Sequence, residues 1–159
     1  ICKNLFLCNR QQTAFYLLTM PGDKPFHTKD LSAQIGSSRL SFAPPEKMEE
    51  LLNTHPGSAS VMGLLFDTEH RVQLVMDRDV YDAEYFCCHP CDNHGSLKIK
   101  TSDLLTKFLP HVGHEPAEGI SKQKTSADGR RFFCYVMSPS VKRRTGASAS
   151  SVCVQTQAT

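Results

Sequence analysis

No apolar run in this chain approaches the ~18 residues that a membrane-spanning helix needs, and nothing in it reads as a span. Charge of one sign is equally scarce. Eighteen lysines and arginines stand against 16 aspartates and glutamates, a net charge of +2 over 159 residues. That balance argues against a broad basic nucleic-acid footprint but stays compatible with contact to the end of a nucleic acid. A secretory signal is missing from the N-terminal segment. The seven cysteines are odd in number, so a complete disulfide framework gives way to free thiols. Cys8, Cys87 and Cys134 lie inside apolar runs, where free cysteine behaves as a small hydrophobe, and a reducing, cytoplasmic setting is expected. No internal repeat is found. There is no initiator methionine, and Ile1-Cys2 leads straight into a strand. The expectation is a fragment, a trimmed chain or a domain of a longer protein, with a helix preceding it.

What is present fits one domain, which at this length buries about two-thirds of its unfolded surface. Two apolar runs, 3–8 and 13–20, flank the polar Asn9-Arg10-Gln11-Gln12 and predict a β-hairpin. Pro21-Gly22-Asp23 breaks the chain. Thr28 is the expected N-cap of a helix through Leu31 and Ile35 that Gly36 ends. A strand is expected over 39–42. Pro45 opens a second helix with Met48, Leu51 and Leu52 on one face. Strands are expected over 60–66, 72–76, 84–88 and 97–100, with a helical turn over 79–82. Thr101-Ser102-Asp103 is expected to cap a helix carrying Leu104, Leu105, Phe108 and Leu109. Strands and helices intermix without strict βαβ alternation, so the fold class is α+β, with a mixed sheet, open or barrel-like, and several short helices. The domain is expected to span 1–137, with a polar connection over 117–130 and an added strand over 131–137. Residues 138–159 are rich in serine, threonine and alanine, and are expected to be disordered or loosely attached.

Few residues stand out chemically. Lys3 enters an apolar strand, so its ammonium either snorkels to water or faces a polar pocket. Gly57, in Pro56-Gly57-Ser58-Ala59-Ser60, supplies a turn whose successive N–H groups can cradle an oxygen. His114, in Gly113-His114-Glu115-Pro116, is either structural or a hydrogen-bonding imidazole. Cys88-x2-Cys91-x2-His94 has the look of half a zinc site, but no second pair of ligands accompanies it, and no metal is expected. A cysteine hydrolase would need an exposed, low-pKa thiolate beside a base, and no cysteine lies in such a motif.

Lys3-Asn4-Leu5, the Gly57 loop and Gly113-His114-Glu115-Pro116 are spaced as in the YbaK/ProX-type prolyl-tRNA editing domains, which hydrolyse mischarged aminoacyl-tRNA. The chain resembles that family from about Lys3 to Pro116. The resemblance implies that Lys3 holds the ester carbonyl or a phosphate as negative charge develops, an oxyanion-hole type of contribution. It places Asn4 on backbone or ribose, and His114 on the terminal adenosine. Gly57-Ser58-Ala59-Ser60-Val61 matches the family's Gly-x-x-x-Pro loop, with Val61 where the family has proline. His89-Pro90-Cys91-Asp92-Asn93 matches its His-Pro-x-x-Asn turn, which brings in His89 and Asn93. Phe42, Met62 and Leu64 are expected to shape a small-residue pocket. The implied activity is deacylation of mischarged tRNA, with Ala-tRNA(Pro) the expected substrate, a hydroxyl of the terminal adenosine assisting the attacking water, and no cofactor. Prolyl-tRNA synthetase or a multi-synthetase complex is the implied partner, without a membrane. The alternative is a catalytically silent tRNA- or synthetase-binding accessory module of the same fold.

Overall fold

The computed structural model describes residues 2–116 and 134–139. The connection expected over 117–130 and the tail from 140 onward lie outside the described residues. A hairpin comes first, β1 (Cys2–Asn9) and β2 (Phe15–Pro21), paired antiparallel from Cys2 opposite Pro21 to Cys8 opposite Phe15. Helix α1 (Thr28–Ile35), strand β3 (Leu40–Phe42) and helix α2 (Pro45–Leu52) follow. They form the crossover that lets β4 (Val72–Asp77) lie parallel to β2, a pairing that no tight turn can make. After α3 (Arg78–Tyr81), β5 (Tyr85–Cys88) and β6 (Leu97–Lys100) form a separate hairpin. Helix α4 (Thr101–Asp103), a π-helical turn (Leu104–Phe108) and α5 (Leu109–His111) then run on to β7 (His114–Pro116), and β8 (Cys134–Pro139) closes the described chain.

The main sheet is mixed and open, in the order β3-β1-β2-β4-β8-β7. It does not close into a barrel. Its central strands are covered on both faces, which is why β2 and β4 read as nearly continuous apolar runs rather than alternating ones. On one face Phe6, Leu17, Leu74 and Met76 meet Leu52, Leu64, Phe86 and Leu109. On the other, Leu7, Leu18, Met20 and Val75 meet Leu31 of α1. The eighth strand, Cys134–Pro139, runs antiparallel to β4 and β7.

Three local expectations are corrected. The run over 60–66 is not a strand: Val61–Leu65 forms a 3-10 turn capped by Ser60, whose Oγ accepts the Met62 N–H at 3.1 Å. Gly63 allows this turn to press on α2, for a Cβ there would lie 2.8 Å from the Leu52 carbonyl oxygen. Thr28 is the first residue of α1, and its N-cap is His27. Thr101 likewise begins α4 rather than capping it. Its N–H goes to the Glu84 carbonyl, because β6 stays paired with β5 up to Lys100 opposite Tyr85.

Candidate functional site

The short third strand creates the site. Strand β3 pairs only with Leu7, Cys8 and Asn9 of β1, and its last support is the Ala43 N–H on the Phe6 carbonyl at 2.9 Å. Along a strand, the N–H and C=O of one residue point to the same edge and those of the next to the other. Asn9 turns its N–H toward β2, onto the Ala14 carbonyl at 3.1 Å, while Phe6 turns toward β3. By this alternation Lys3 and Leu5 serve the β2 ladder, and the main-chain groups of Cys2 and Asn4 face the other edge. Among the described residues, no strand covers that edge before Phe6.

A cavity of about 550 Å³ lies against this open edge. Residues 2–6 form one wall. Phe42, Ala43, Pro45 and Met48 form a second, and Pro56, Gly57, Ala59 and His89 complete it. Four separated segments thus converge, and among the described residues no carboxylate lines the cavity. Asn4 Oδ1 is buried and has no hydrogen-bond partner. Phe42 is 63% exposed at the rim. Gly57 holds φ +92°, a conformation for which glycine is suited, and a Cβ there would meet nothing within 4 Å.

Of the expected site residues, Lys3, Asn4, Phe42, Gly57, Ala59 and His89 come together at this cavity. The Lys3 ammonium donates to the Lys24 carbonyl. Lys24 in turn reaches Asp77 at 2.9 Å and Asp79 at 2.8 Å. Asp77 is fully buried, and its burial pushes the carboxyl above the usual range against the pull of Lys24. His89 is half-buried, with Nδ1 2.8 Å from the Gly95 carbonyl. A carbonyl accepts only, so Nδ1 carries the proton and, in the neutral ring, Nε2 keeps the lone pair.

The other expected residues do not line the cavity. Ser58 is buried and folds back on its own turn, donating to the His55 carbonyl at 2.9 Å and accepting the His55 N–H at 3.0 Å. Ser60 donates to the His89 carbonyl and tethers the loop from behind. Val61 is fully buried, and Met62 packs against the same core. Leu64 is in that core as well, while Asn93 lies exposed in its turn. His114 is not brought to the cavity. It is 0% exposed at the start of β7, edge to face with His70 at 5.7 Å, and neither ring nitrogen has a partner. Burial pushes its pKa down, with nearby Asp67 pulling the other way.

The wall residues Ala43, Pro45 and Met48 escaped sequence reasoning because they belong to α2 and its approach, whose apolar face signalled only core. Burial pushes the Cys88 thiol up to about 12, and it raises those of Cys2 and Cys91. Among the described residues, no group of three or more His, Cys, Asp or Glu side chains is placed to hold a metal.

A family model described as an aminoacyl-tRNA editing domain matches residues 1–107. The prolyl-tRNA editing protein ProX of Acetoanaerobium sticklandii is 32% identical over 104 residues, covering 65% of this chain and 63% of that protein. Prolyl-tRNA synthetase associated domain-containing protein 1 of Danio rerio is 31% identical over 118 residues, 73% of this chain and 63% of that one. The Bos taurus protein of the same name is 32% identical over 120 residues, 72% and 68% of the two chains. The chain therefore spans just under two-thirds of the length of the first two relatives. A crystal structure of a protein described as hypothetical shares the fold, with a TM-score of 0.55 at 19% identity over 66% of each chain.

Proposed function

The chain belongs to the aminoacyl-tRNA editing domain family, and from that premise we propose that its cavity hydrolyses the ester of a mischarged tRNA, with Ala-tRNA(Pro) as the substrate. The observation that carries this reading is the convergence of Lys3, Asn4, Phe42, Gly57, Ala59 and His89 on one cavity at an unpaired strand edge. At about 550 Å³ the space suits an aminoacyl group and part of the terminal nucleoside. Its apolar walls, Ala43, Pro45 and Met48, favour a small side chain.

In this proposal the ester carbonyl lies near Lys3. The ammonium exchanges the Lys24 carbonyl for the developing oxyanion, a fixed charge placed where negative charge grows. The turn amides around Gly57 add main-chain donors. Water attacks the ester carbon, and a hydroxyl of the terminal adenosine takes part in the proton transfer. His89, with its lone pair on Nε2, is the imidazole available at the cavity to accept a hydrogen bond from ribose or water. Phe42, exposed at the rim, offers a face on which the terminal base stacks. A role for His114 on that nucleoside would require the ring to leave its buried seat.

A pocket built for proline discriminates weakly against a smaller amino acid, which is why a second, hydrolytic site is useful. Prolyl-tRNA synthetase, alone or in a multi-synthetase complex, is the proposed partner, and the cytoplasm the proposed setting. Among the described residues no helix is long and apolar enough to cross a membrane. The second reading is a silent accessory module, which the parked Lys3 ammonium favours. Deacylation of alanyl-, seryl- and cysteinyl-tRNA by the purified chain decides between them. Hydrolysis abolished by Lys3→Ala supports the enzyme; tRNA binding without hydrolysis of any of the three supports the module.

A further inference from the structure

Among the described residues, the open edge of β1 before Phe6 carries main-chain hydrogen-bonding groups that no strand pairs with. Asn4 presents its main-chain N–H and C=O to the cavity, by the alternation that sends the Phe6 carbonyl to Ala43 and the Asn9 N–H to Ala14. Its side-chain Oδ1 is buried and has no hydrogen-bond partner among the described residues. Buried polar groups of this kind are normally satisfied, and one left open is a feature that a ligand can complete. Three residues of the facing wall offer no donor to complete it. Pro45 and Pro56 have no N–H, and Ala43 has spent its own on Phe6.

An aminoacyl ester carries the matching groups. Its amino nitrogen donates and its carbonyl oxygen accepts, separated by a single Cα as in one residue of a strand. We propose that the aminoacyl group of the substrate docks on Asn4 as a one-residue antiparallel strand. The Asn4 N–H donates to the ester carbonyl, and the Asn4 C=O and Oδ1 together receive the free α-amino group. This is strand addition reduced to a single residue, in which main-chain bonds give affinity and the neighbouring walls select the side chain. The Asn4 N–H also polarises the carbonyl that is to be attacked. Among the described residues no carboxylate lines the cavity, so neutral oxygens receive the amino group and no counter-charge competes with Lys3. The substrate class follows: aminoacyl esters with a free α-amino group, to the exclusion of N-acylated and peptidyl esters, whose acyl group would fill the amino site and leave it one donor.

The inference rests on the editing reading of the same cavity, so the test has a catalytic and a binding arm. In the first, the chain is given alanyl-tRNA and N-acetylalanyl-tRNA. The expected result is kcat/KM lower by about 10²-fold for the acetylated ester, from lost hydrogen bonds and a blocked amino site. Asn4→Ala should lower kcat/KM on alanyl-tRNA by roughly tenfold and shrink the gap between the two esters. In the second, calorimetry measures binding of 3′-alanylamino-3′-deoxyadenosine, a stable amide, and of its N-acetyl derivative. Preference for the free amine without any deacylation would support the inference while removing the enzymatic reading. Equal rates on both esters, or equal or absent binding of both amides, would overturn it.

Discussion

Replacing Ser60 by alanine removes one oxygen that serves two chain segments. Ser60 is fully buried; its Oγ accepts the Met62 N–H at 3.1 Å, capping the 3-10 turn, and donates to the His89 carbonyl in the turn after β5. Loss of a cap costs about 1 kcal/mol. The His89 carbonyl loses its donor, a further cost of about 1–3 kcal/mol when the space is closed to water. Ser60→Ala should therefore destabilise the domain by roughly 2–4 kcal/mol, against the 5–15 kcal/mol typical of a whole domain. At about 4 °C per kcal/mol for this size, Tm should fall by roughly 8–16 °C. The chain contains no tryptophan, so urea unfolding is best followed by far-UV circular dichroism, with the m-value expected to stay constant. Below the transition, deacylation should also weaken, because the Gly57 loop and His89 lose their common tether. A stability loss under about 0.5 kcal/mol, the range of an ordinary surface change, would refute the account of Ser60 as the joint between the two walls.

Lys3→Ala should lower the deacylation rate by roughly 10²–10³-fold, as for loss of one oxyanion-stabilising donor, while thermal unfolding stays near wild type; full activity in the folded variant would remove Lys3 from the mechanism. Gly57→Ala should cost about 1–2 kcal/mol through its positive φ rather than through any clash, and Gly57→Leu should in addition suppress deacylation, both read from unfolding curves and steady-state rates. Val61→Pro places proline at the first position of the 3-10 turn, where a missing N–H is tolerated; it should fold and narrow the range of esters cleaved, raising the preference for alanyl- over seryl-tRNA by a graded ~1–3 kcal/mol, and unchanged selectivity would mean that this loop does not set the pocket. His114 has its pKa lowered by burial: above the unfolded-state value near 6.5 both states are neutral and its contribution is fully present. As pH falls below that value the unfolded chain takes up the proton first and stability is lost, so urea midpoints at pH 7.5 and 5.5 should differ more for wild type than for His114→Phe.

The hairpin, α2 and the α+β class were legible because each has a local cause: two apolar runs around a polar turn, a proline at a first helical position, strands and helices intermixed. Lys3, Asn4 and Gly57 were singled out through motif resemblance, and all three line the cavity. The misread 60–66 segment shows where local cause ends. Its apolar content fits a strand, but a serine cap and the contact of Gly63 with Leu52 make it a 3-10 turn. His114 shows the same limit, since no spacing distinguishes an imidazole facing a ligand from one sealed against His70. The sequence places a short strand ending at Phe42, but does not reveal that it pairs with β1 only at Leu7, Cys8 and Asn9. The sequence by itself determined the first hairpin, α1 and α2, because those choices depend on neighbours a few positions away. Tertiary structure decided which strand edge stays unpaired and which apolar residues line a cavity instead of a core, because both depend on how far β3 and α2 reach along β1.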